Sequence, residues 1–396
     1  MLSFLPEYPF EANPLLLFGT LLLAGLAGGE AVRRVGLPRV MGYVMVGIAL
    51  GASGVGVLDP GLVRESWIFV DIALGLILFE LGRRLDFVWF RRDPWLAATG
   101  VLESALSFAL VLGALVYFDV RPIYAAVAAS IAIATSPAVV MVVAQELRAE
   151  GQVTERALSL VAINSVIAYV TATMLLAWIH HEYRAGWATA LMHPVYILAG
   201  SLVIGYVAGK FALGLVRWFG KSERGHFVVT LGLIILTVGL ARMLELSVVL
   251  ALLAFGVLSR SLDERHDLMH FEMGRVGEMF VVVLFVVSGA ILSVEALMAG
   301  GTIAVVFILA RFVGKSVGVL ILTYFSGVRR GTAGLLCLTL MPMSGLAVSM
   351  VHGTMEIYPE FGRSLAAIVL SAVLILEVIG PVAVQFALRR AGEAAE

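Results

Sequence analysis

Among the charged residues inside the long apolar stretches of this 396-residue chain, three have chemistry that suits ion binding. They are Glu103, Lys315 and Glu377. A charged side chain within such a stretch is costly and usually serves a function. A buried carboxyl group can hold either a cation or a proton, because its charge attracts the first and accepts the second. We therefore predict Glu103 and Glu377 as candidate transport carboxyls and Lys315 as their counter-charge.

Lys315 also has two structural interpretations that the sequence leaves open. Its ammonium could form a fixed ion pair with a nearby acid. It could also compensate the negative ends of helix dipoles. Further acids lie within or beside apolar stretches, and for these we favour structural roles: Asp71, Glu80, Glu245 and Glu278.

Two apolar stretches carry a proline-containing interruption near the middle. The first reads Thr135-Ser136-Pro137, and the second contains Pro342, Ser344 and Gly345. Proline removes a backbone donor and clashes with the preceding helical turn. Backbone groups freed inside a membrane must be satisfied within the protein or by water in a cavity. We predict unwound backbone at both places, lining one cavity that solvent can reach; ordinary proline kinks are the alternative.

The elements that position these residues are predicted to be transmembrane helices. Hydrophobic residues make up 61% of the chain, charged residues 14%, and the mean hydropathy is +1.01. Soluble proteins carry about 25% charged residues. A span needs about 20 apolar residues, which predicts an all-α polytopic membrane protein with about thirteen spans near 14–32, 37–55, 65–82, 95–117, 122–146, 156–179, 190–216, 226–243, 246–259, 276–293, 301–325, 331–353 and 363–388.

The distribution of basic residues predicts the orientation of these spans. Of the 27 Lys and Arg residues, 19 fall in one set of alternate loops and 5 in the opposite set. Cytoplasmic loops are enriched in Lys and Arg. The N-terminus is therefore predicted outside and the C-terminus in the cytoplasm, in a plasma (inner) membrane. No cytosolic regulatory domain is expected.

The two interrupted spans occupy matching places in the order of spans. They are the fifth and the twelfth, which are equivalent if spans 1–6 and 8–13 are inverted repeats joined by span 7. Paired broken helices at equivalent positions point to a transporter binding site. We therefore predict two inverted repeats whose broken helices cross.

Several segments, in order along the chain, resemble the monovalent cation/proton antiporter superfamily, in particular its Kef-type, sodium–proton exchanger-like branch. The resemblance lies in Leu37–Tyr43 with Gly47–Gly51, Leu78–Asp86, Leu246–Leu258, Phe285–Gly289 and Ala310–Lys315. It implies the antiporter fold and a homodimer. It also implies a moving core at about 95–179 and 301–388, and a dimerisation scaffold at about 14–82 and 190–293, within one transporter domain.

Three positions depart from the pattern that the resemblance implies. The sixth span keeps Asn164, but Ser165 stands where an ion-binding aspartate is expected. In the resembled superfamily an acid often follows the threonine of the fifth span, and here Ser136 stands there. An Arg-Gly pair often follows the proline of the twelfth span, and here Ser344 stands at the glycine position. A serine hydroxyl can coordinate a cation, but it does not titrate near neutral pH. The coupling carboxyl therefore lies elsewhere, or the protein does not couple in the usual way.

These features predict a secondary transporter that exchanges Na⁺ or K⁺ for H⁺ by an elevator-like movement. The alternative is an uncoupled or non-transporting relative, such as a carrier of another solute or a partner subunit. The chain has no Walker sequence, no basic run that suggests nucleic acid and no constellation typical of an enzyme. The adjacent His180, His181 and Glu182 do not predict a metal site, and no cofactor is expected.

Overall fold

A computed structural model describes residues 14–51, 53–56, 58, 60–85, 93–183, 187–219, 223–262, 274–292, 294–357 and 359–395. These residues form helices and connecting turns, with no strand among them. The helices are α1 (Pro14–Arg34), α2 (Arg39–Leu50), α3 (Pro60–Arg84), α4 (Pro94–Tyr117), α5 (Pro122–Ile133), α6 (Pro137–Glu146), α7 (Gln152–Tyr183), α8 (Trp187–Phe219), α9 (Glu223–Met243), α10 (Val248–Leu262), α11 (Gly274–Ile291), α12 (Val294–Thr323), α13 (Arg330–Thr339), α14 (Gly345–Ile357) and α15 (Pro359–Arg390).

The helices have the length and composition of membrane spans. Within the described residues, eight helical segments are long and apolar enough to cross a membrane, and three shorter apolar helices accompany them. This confirms the predicted all-helical membrane architecture; the count of thirteen spans stays a prediction. The second predicted span, 37–55, is helical only over α2, because the chain turns at Gly51 and the Val55 amide bonds back to the Ala49 carbonyl.

Both predicted interruptions are present. Helix α5 ends at Ile133, three residues in non-helical conformation follow, and α6 begins at Pro137. Ser136 caps α6, because its Oγ accepts a hydrogen bond from the Val139 amide at 3.3 Å. In the second interruption, α13 ends at Thr339 and α14 begins at Gly345. Each pair of half-helices therefore replaces one continuous span.

Helix α12 packs very closely against α4, and two glycines permit this. A Cβ atom on Gly314 would lie 2.6 Å from the Ser107 Cα, and one on Gly318 would lie 2.4 Å from the Glu103 Cα. Lys315 stands between these glycines in the sequence. The close packing brings its side chain level with the acid on α4.

Helices α2 and α11 also pack backbone to backbone. A Cβ atom on Gly47 would lie 2.1 Å from the Val286 carbonyl oxygen, and one on Gly289 would lie 2.3 Å from the Val44 carbonyl oxygen. Such contacts leave no room for a side chain at either glycine. The α2–α11 pair is therefore expected to behave as one rigid unit.

Candidate functional site

The two interruptions meet at a common point, here called the crossing, formed by residues 134–136 and 340–344. The Ser136 amide donates to the Pro342 carbonyl at 3.0 Å. The Ser136 and Ser344 hydroxyls share a short hydrogen bond, and the Thr135 hydroxyl donates to the Leu340 carbonyl at 3.3 Å. Each interruption thus supplies partners for the other's free backbone groups.

Asn164 links the crossing to α4 and α7. Its Nδ2 donates to Glu103 Oε1 at 3.0 Å and to Thr135 Oγ1 at 3.1 Å. Its Oδ1 accepts from the Thr135 amide at 3.2 Å. Asn164, Thr135 and Glu103 are each at most 1% exposed. The structure therefore brings three of the predicted site residues into one buried hydrogen-bonded cluster.

Lys315 lies beside this cluster. Its Nζ is 2.8 Å from Glu103 Oε2 and 2.7 Å from the Ile133 carbonyl oxygen at the end of α5. The ammonium therefore forms an ion pair and lies at a helix C-terminus, which are the two contacts that the structural interpretations of Lys315 require. Its acid partner is Glu103 and not Glu377.

Arg311, one helical turn before Lys315, occupies the centre of the crossing, and the sequence analysis did not select it. Its guanidinium donates to the carbonyls of Ala132 at 2.9 Å, Ala134 at 2.8 Å and Met341 at 2.8 Å. The side chain is 1% exposed. It therefore binds carbonyls at and just beyond the C-terminal ends of both half-helices, α5 and α13. The sequence does carry a signal for this role, because Arg311 is a charged residue inside an apolar span and lies four residues before Lys315.

Ser165 lies next to the cluster, but its hydroxyl serves its own helix. Ser165 Oγ donates to the Val161 carbonyl at 2.7 Å, the back-bond typical of serine within a helix. The side chain is fully buried. The position where the resemblance implies an aspartate thus supplies no titratable group.

Glu377 lies apart from the Glu103–Lys315 pair. Its Oε1 accepts from the Ser288 hydroxyl on α11 at 2.7 Å. Its Oε2 has no hydrogen-bond partner among the described residues, and the side chain is 0% exposed. One turn further along α15, Gly380 contacts the crossing: a Cβ there would lie 2.8 Å from the Pro342 Cα. Glu377 therefore lies one turn from the crossing and reaches away to α11.

Two of the acids for which structural roles were expected have polar partners. Asp71 forms an ion pair with Arg242 at 2.7 Å. Glu80 accepts from Gln145 at 2.9 Å. Of the other residues that the sequence analysis considered, Asp86 and the side chains of His180, His181 and Glu182 lie outside the described residues.

The described residues line a large open cavity. Its volume is about 1870 Å³, and α1, α2, α3, α6, α11 and α15 contribute to its lining. Its walls include Val142 of α6, Val282 of α11 and Gln385 of α15. Ser136 and Ser344 are each 2% exposed and are not among the lining residues. In this conformation the two serines therefore do not line the cavity, contrary to expectation, because their hydroxyls bond to each other.

Comparison with known proteins gives consistent results along nearly the whole chain. The family profile described as "Sodium/hydrogen exchanger, transmembrane" matches residues 18–390. The "High-affinity Na(+)/H(+) antiporter NhaS3" of Synechocystis sp. is 24% identical over 375 residues, covering 80% of this chain and 79% of that protein. The Na(+)/H(+) antiporter NhaS5 of the same organism is 36% identical over 104 residues, 26% of this chain and 14% of that protein.

Solved structures share the fold. The sodium proton antiporter MjNhaP1 from Methanocaldococcus jannaschii superposes with a TM-score of 0.70 at 14% identity, covering 95% of this chain and 98% of that one. A second structure of MjNhaP1, from electron microscopy, gives a TM-score of 0.71 with 96% and 98% coverage. These matches place the crossed half-helices in a known membrane architecture.

Proposed function

Since the chain belongs to the sodium/hydrogen exchanger family, we propose that it is a secondary active transporter that exchanges a monovalent cation, Na⁺ or K⁺, for protons across the plasma (inner) membrane. The observation that carries the proposal is the buried cluster of Glu103, Asn164 and Thr135 at the crossing. Unwound backbone and half-helix ends at such a crossing are the usual place of ion sites in transporters.

The cluster offers a cation oxygen ligands of three kinds. They are the Glu103 carboxylate, the side-chain oxygens of Asn164 and Thr135, and the backbone carbonyls around Ala134. Lys315 and Arg311 now bind the carboxylate and the carbonyls. A cation that reaches Glu103 must therefore compete with the Lys315 ammonium. Because a bound cation would displace the ammonium from Glu103, the ion pair could respond to the cation concentration.

The movement we propose is elevator-like. The core comprises α4–α7 and α12–α15, which carry the crossing, and the scaffold comprises α1–α3 and α8–α11. The cavity between α6 and α15 on one side and α1–α3 and α11 on the other supports this division. A sliding core would move the crossing from one water-filled cavity to another. We also propose that two copies pair through the scaffold as a homodimer.

Ser165 favours a second candidate, an uncoupled or non-transporting relative. Its hydroxyl bonds to its own helix at Val161, and Glu103 is held by two neighbours. Without a carboxyl that can exchange a cation for a proton, a carrier could transport a solute without moving a proton in the opposite direction. It could also act only as a partner subunit.

Flux in proteoliposomes separates the two candidates. Vesicles with an imposed pH gradient and an internal pH dye receive Na⁺ or K⁺, for wild type, Glu103→Gln and Glu278→Gln. Glu278 lies on the cavity wall outside the crossing and serves as the matched control. Cation-driven pH change in wild type and Glu278→Gln, with its loss in Glu103→Gln, supports antiport through the crossing. Wild type that is folded but moves no protons at any pH supports the second candidate.

A further inference from the structure

Glu377 is a fully buried acid that makes no contact with the Glu103–Asn164–Thr135 cluster. We propose that Glu377 carries the transported proton, at a site separate from the Glu103–Lys315 pair, with Ser288 as its docking partner on the scaffold. The inference rests on the proposed function, and it assigns the proton and the cation to different side chains.

Glu103 is poorly placed to exchange a proton in the conformation described. One of its oxygens binds the Lys315 ammonium at 2.8 Å, and the other accepts from Asn164 at 3.0 Å. Both contacts require a carboxylate that accepts, so a proton on Glu103 would have to displace one of them. Ser165 cannot substitute, because a hydroxyl does not titrate in the working range.

Glu377 has the opposite surroundings. Its one hydrogen-bond partner within the described part of the chain is the Ser288 hydroxyl, and its second oxygen has none. The positions one turn earlier on the same face of each helix, Val373 on α15 and Leu284 on α11, are apolar and buried. An ionised carboxylate enclosed in this way would lack a compensating charge. The enclosed position therefore admits the carboxyl group in its neutral, proton-bearing form.

The same two helices lead from Glu377 to water. Val282 of α11 and Gln385 of α15 both line the cavity. Val282 precedes Ser288 by six residues and Gln385 follows Glu377 by eight, which is about 9 Å and 12 Å along the helices at 1.5 Å per residue. A slide of α15 along α11 by roughly two turns would therefore bring the carboxyl to the cavity.

The proton step then follows from position. While Glu377 is docked against Ser288 it holds a proton, and this neutral form can pass the apolar wall of the scaffold. Once the carboxyl reaches the cavity it releases the proton to water and remains as a carboxylate. On the return passage a cation held at the crossing compensates the carboxylate, so Glu377 crosses without a proton. One cycle thus moves one proton in one direction and one cation in the other, because the crossing, one turn away through Gly380 and Pro342, moves with the same core.

Two variants separate the proton site from its hydrogen bond. Glu377→Gln removes the titratable carboxyl and keeps an oxygen that can accept from Ser288, whereas Ser288→Ala removes the donor and leaves the carboxyl in place. Both are reconstituted beside wild type and Glu103→Gln. Two signals are recorded: cation-driven pH change, and exchange of isotopic Na⁺ or K⁺ between equal concentrations on both sides at constant pH. Monodispersity and melting temperature in detergent confirm that each variant is folded.

We expect Glu377→Gln to lower cation-driven proton movement by about a hundredfold, the contribution of a positioned proton-transfer group, and to keep isotopic exchange. Ser288→Ala should keep both signals within about fivefold, the size of one hydrogen bond. Glu103→Gln should lose both.

Failure of the inference and failure of the proposed function give different results. Absence of cation-driven proton movement in wild type contradicts the function itself. Proton movement that persists in folded Glu377→Gln, isotopic exchange that disappears with it, or an equal loss of coupling in Ser288→Ala overturns the role of Glu377 while antiport stands.

Discussion

Lys315 and Glu103 form an ion pair between α12 and α4, with Nζ 2.8 Å from Oε2 and both side chains at most 1% exposed. The pair joins two segments of the proposed core that are 212 residues apart in sequence. Gly314 and Gly318 make the contact possible, because they let the two helices touch on either side of the lysine.

The first prediction concerns the strength of this pair. Lys315→Met leaves the Glu103 charge buried and uncompensated, which should lower stability by about 3–5 kcal/mol. The double variant Lys315→Met with Glu103→Gln should be more stable than Lys315→Met alone, because the unpaired charge is gone. Thermal unfolding in detergent measures both. A single variant as stable as wild type would show that the pair is not the buried contact described here.

The second prediction concerns Arg311. Arg311→Lys keeps the charge but not the planar fork that reaches carbonyls of both half-helices. Each charged hydrogen bond that is not replaced should cost about 1.5–3 kcal/mol, and transport should fall with it. Arg242→Lys is the matched control, because Arg242 is 56% exposed and makes an ion pair with Asp71. Equal melting temperatures for the two variants would contradict a structural role of Arg311 at the crossing.

The third prediction concerns the position of the missing aspartate. Ser165→Asp should create or strengthen proton-coupled cation flux, because it places a second carboxyl beside Asn164. The buried charge should cost several kcal/mol of stability, so expression and dimerisation are checked first. Ser165→Asn has a similar shape without the charge and should leave flux unchanged. If Ser165→Asp folds and still moves no cation, the loss of coupling involves more than this side chain.

The fourth prediction concerns access of water to the crossing. With Cys337 replaced by serine, a cysteine at Val142 on the cavity wall should react readily with a small water-soluble thiol reagent. Cysteines at Ser136 and Ser344 should react slowly, because both positions are 2% exposed. Their labelling should rise during cation-driven turnover, when the core moves. Rapid labelling of all three positions without turnover would contradict the burial of Ser136 and Ser344 at the crossing.

The sequence predicted the broken helices because their cause is local. A proline in the middle of an apolar span removes a backbone bond whatever surrounds it. It also placed Asn164 and Thr135 at the site, through the resemblance. The sequence did not predict the contacts between distant segments. The partner of Lys315 depends on how α4 packs on α12. Gly314 and Gly318 permit a close approach, but the sequence does not say which helix approaches.

Arg311 and Ser165 both show that residue types do not specify hydrogen-bond partners. Arg311 was visible as a charge inside a span, but its partners are backbone carbonyls, which carry no signal in the residue types. Ser165 was visible as a departure, but the direction of its hydroxyl is set by its own helix at Val161. Glu377 was selected as a candidate, although its docking partner Ser288 on α11 could not be foreseen.

The crossing also constrains the order in which the chain can fold during synthesis. The Ser136 hydroxyl bonds to Ser344, which is 208 positions later in the chain. The Ala132 carbonyl accepts from Arg311, which is 179 positions later. At about 5–20 residues per second, a ribosome needs about 10–40 s to supply these partners. Free backbone groups are not tolerated in hydrocarbon. The first half-helix pair must therefore stay hydrated or sheltered by the insertion machinery until the second pair arrives.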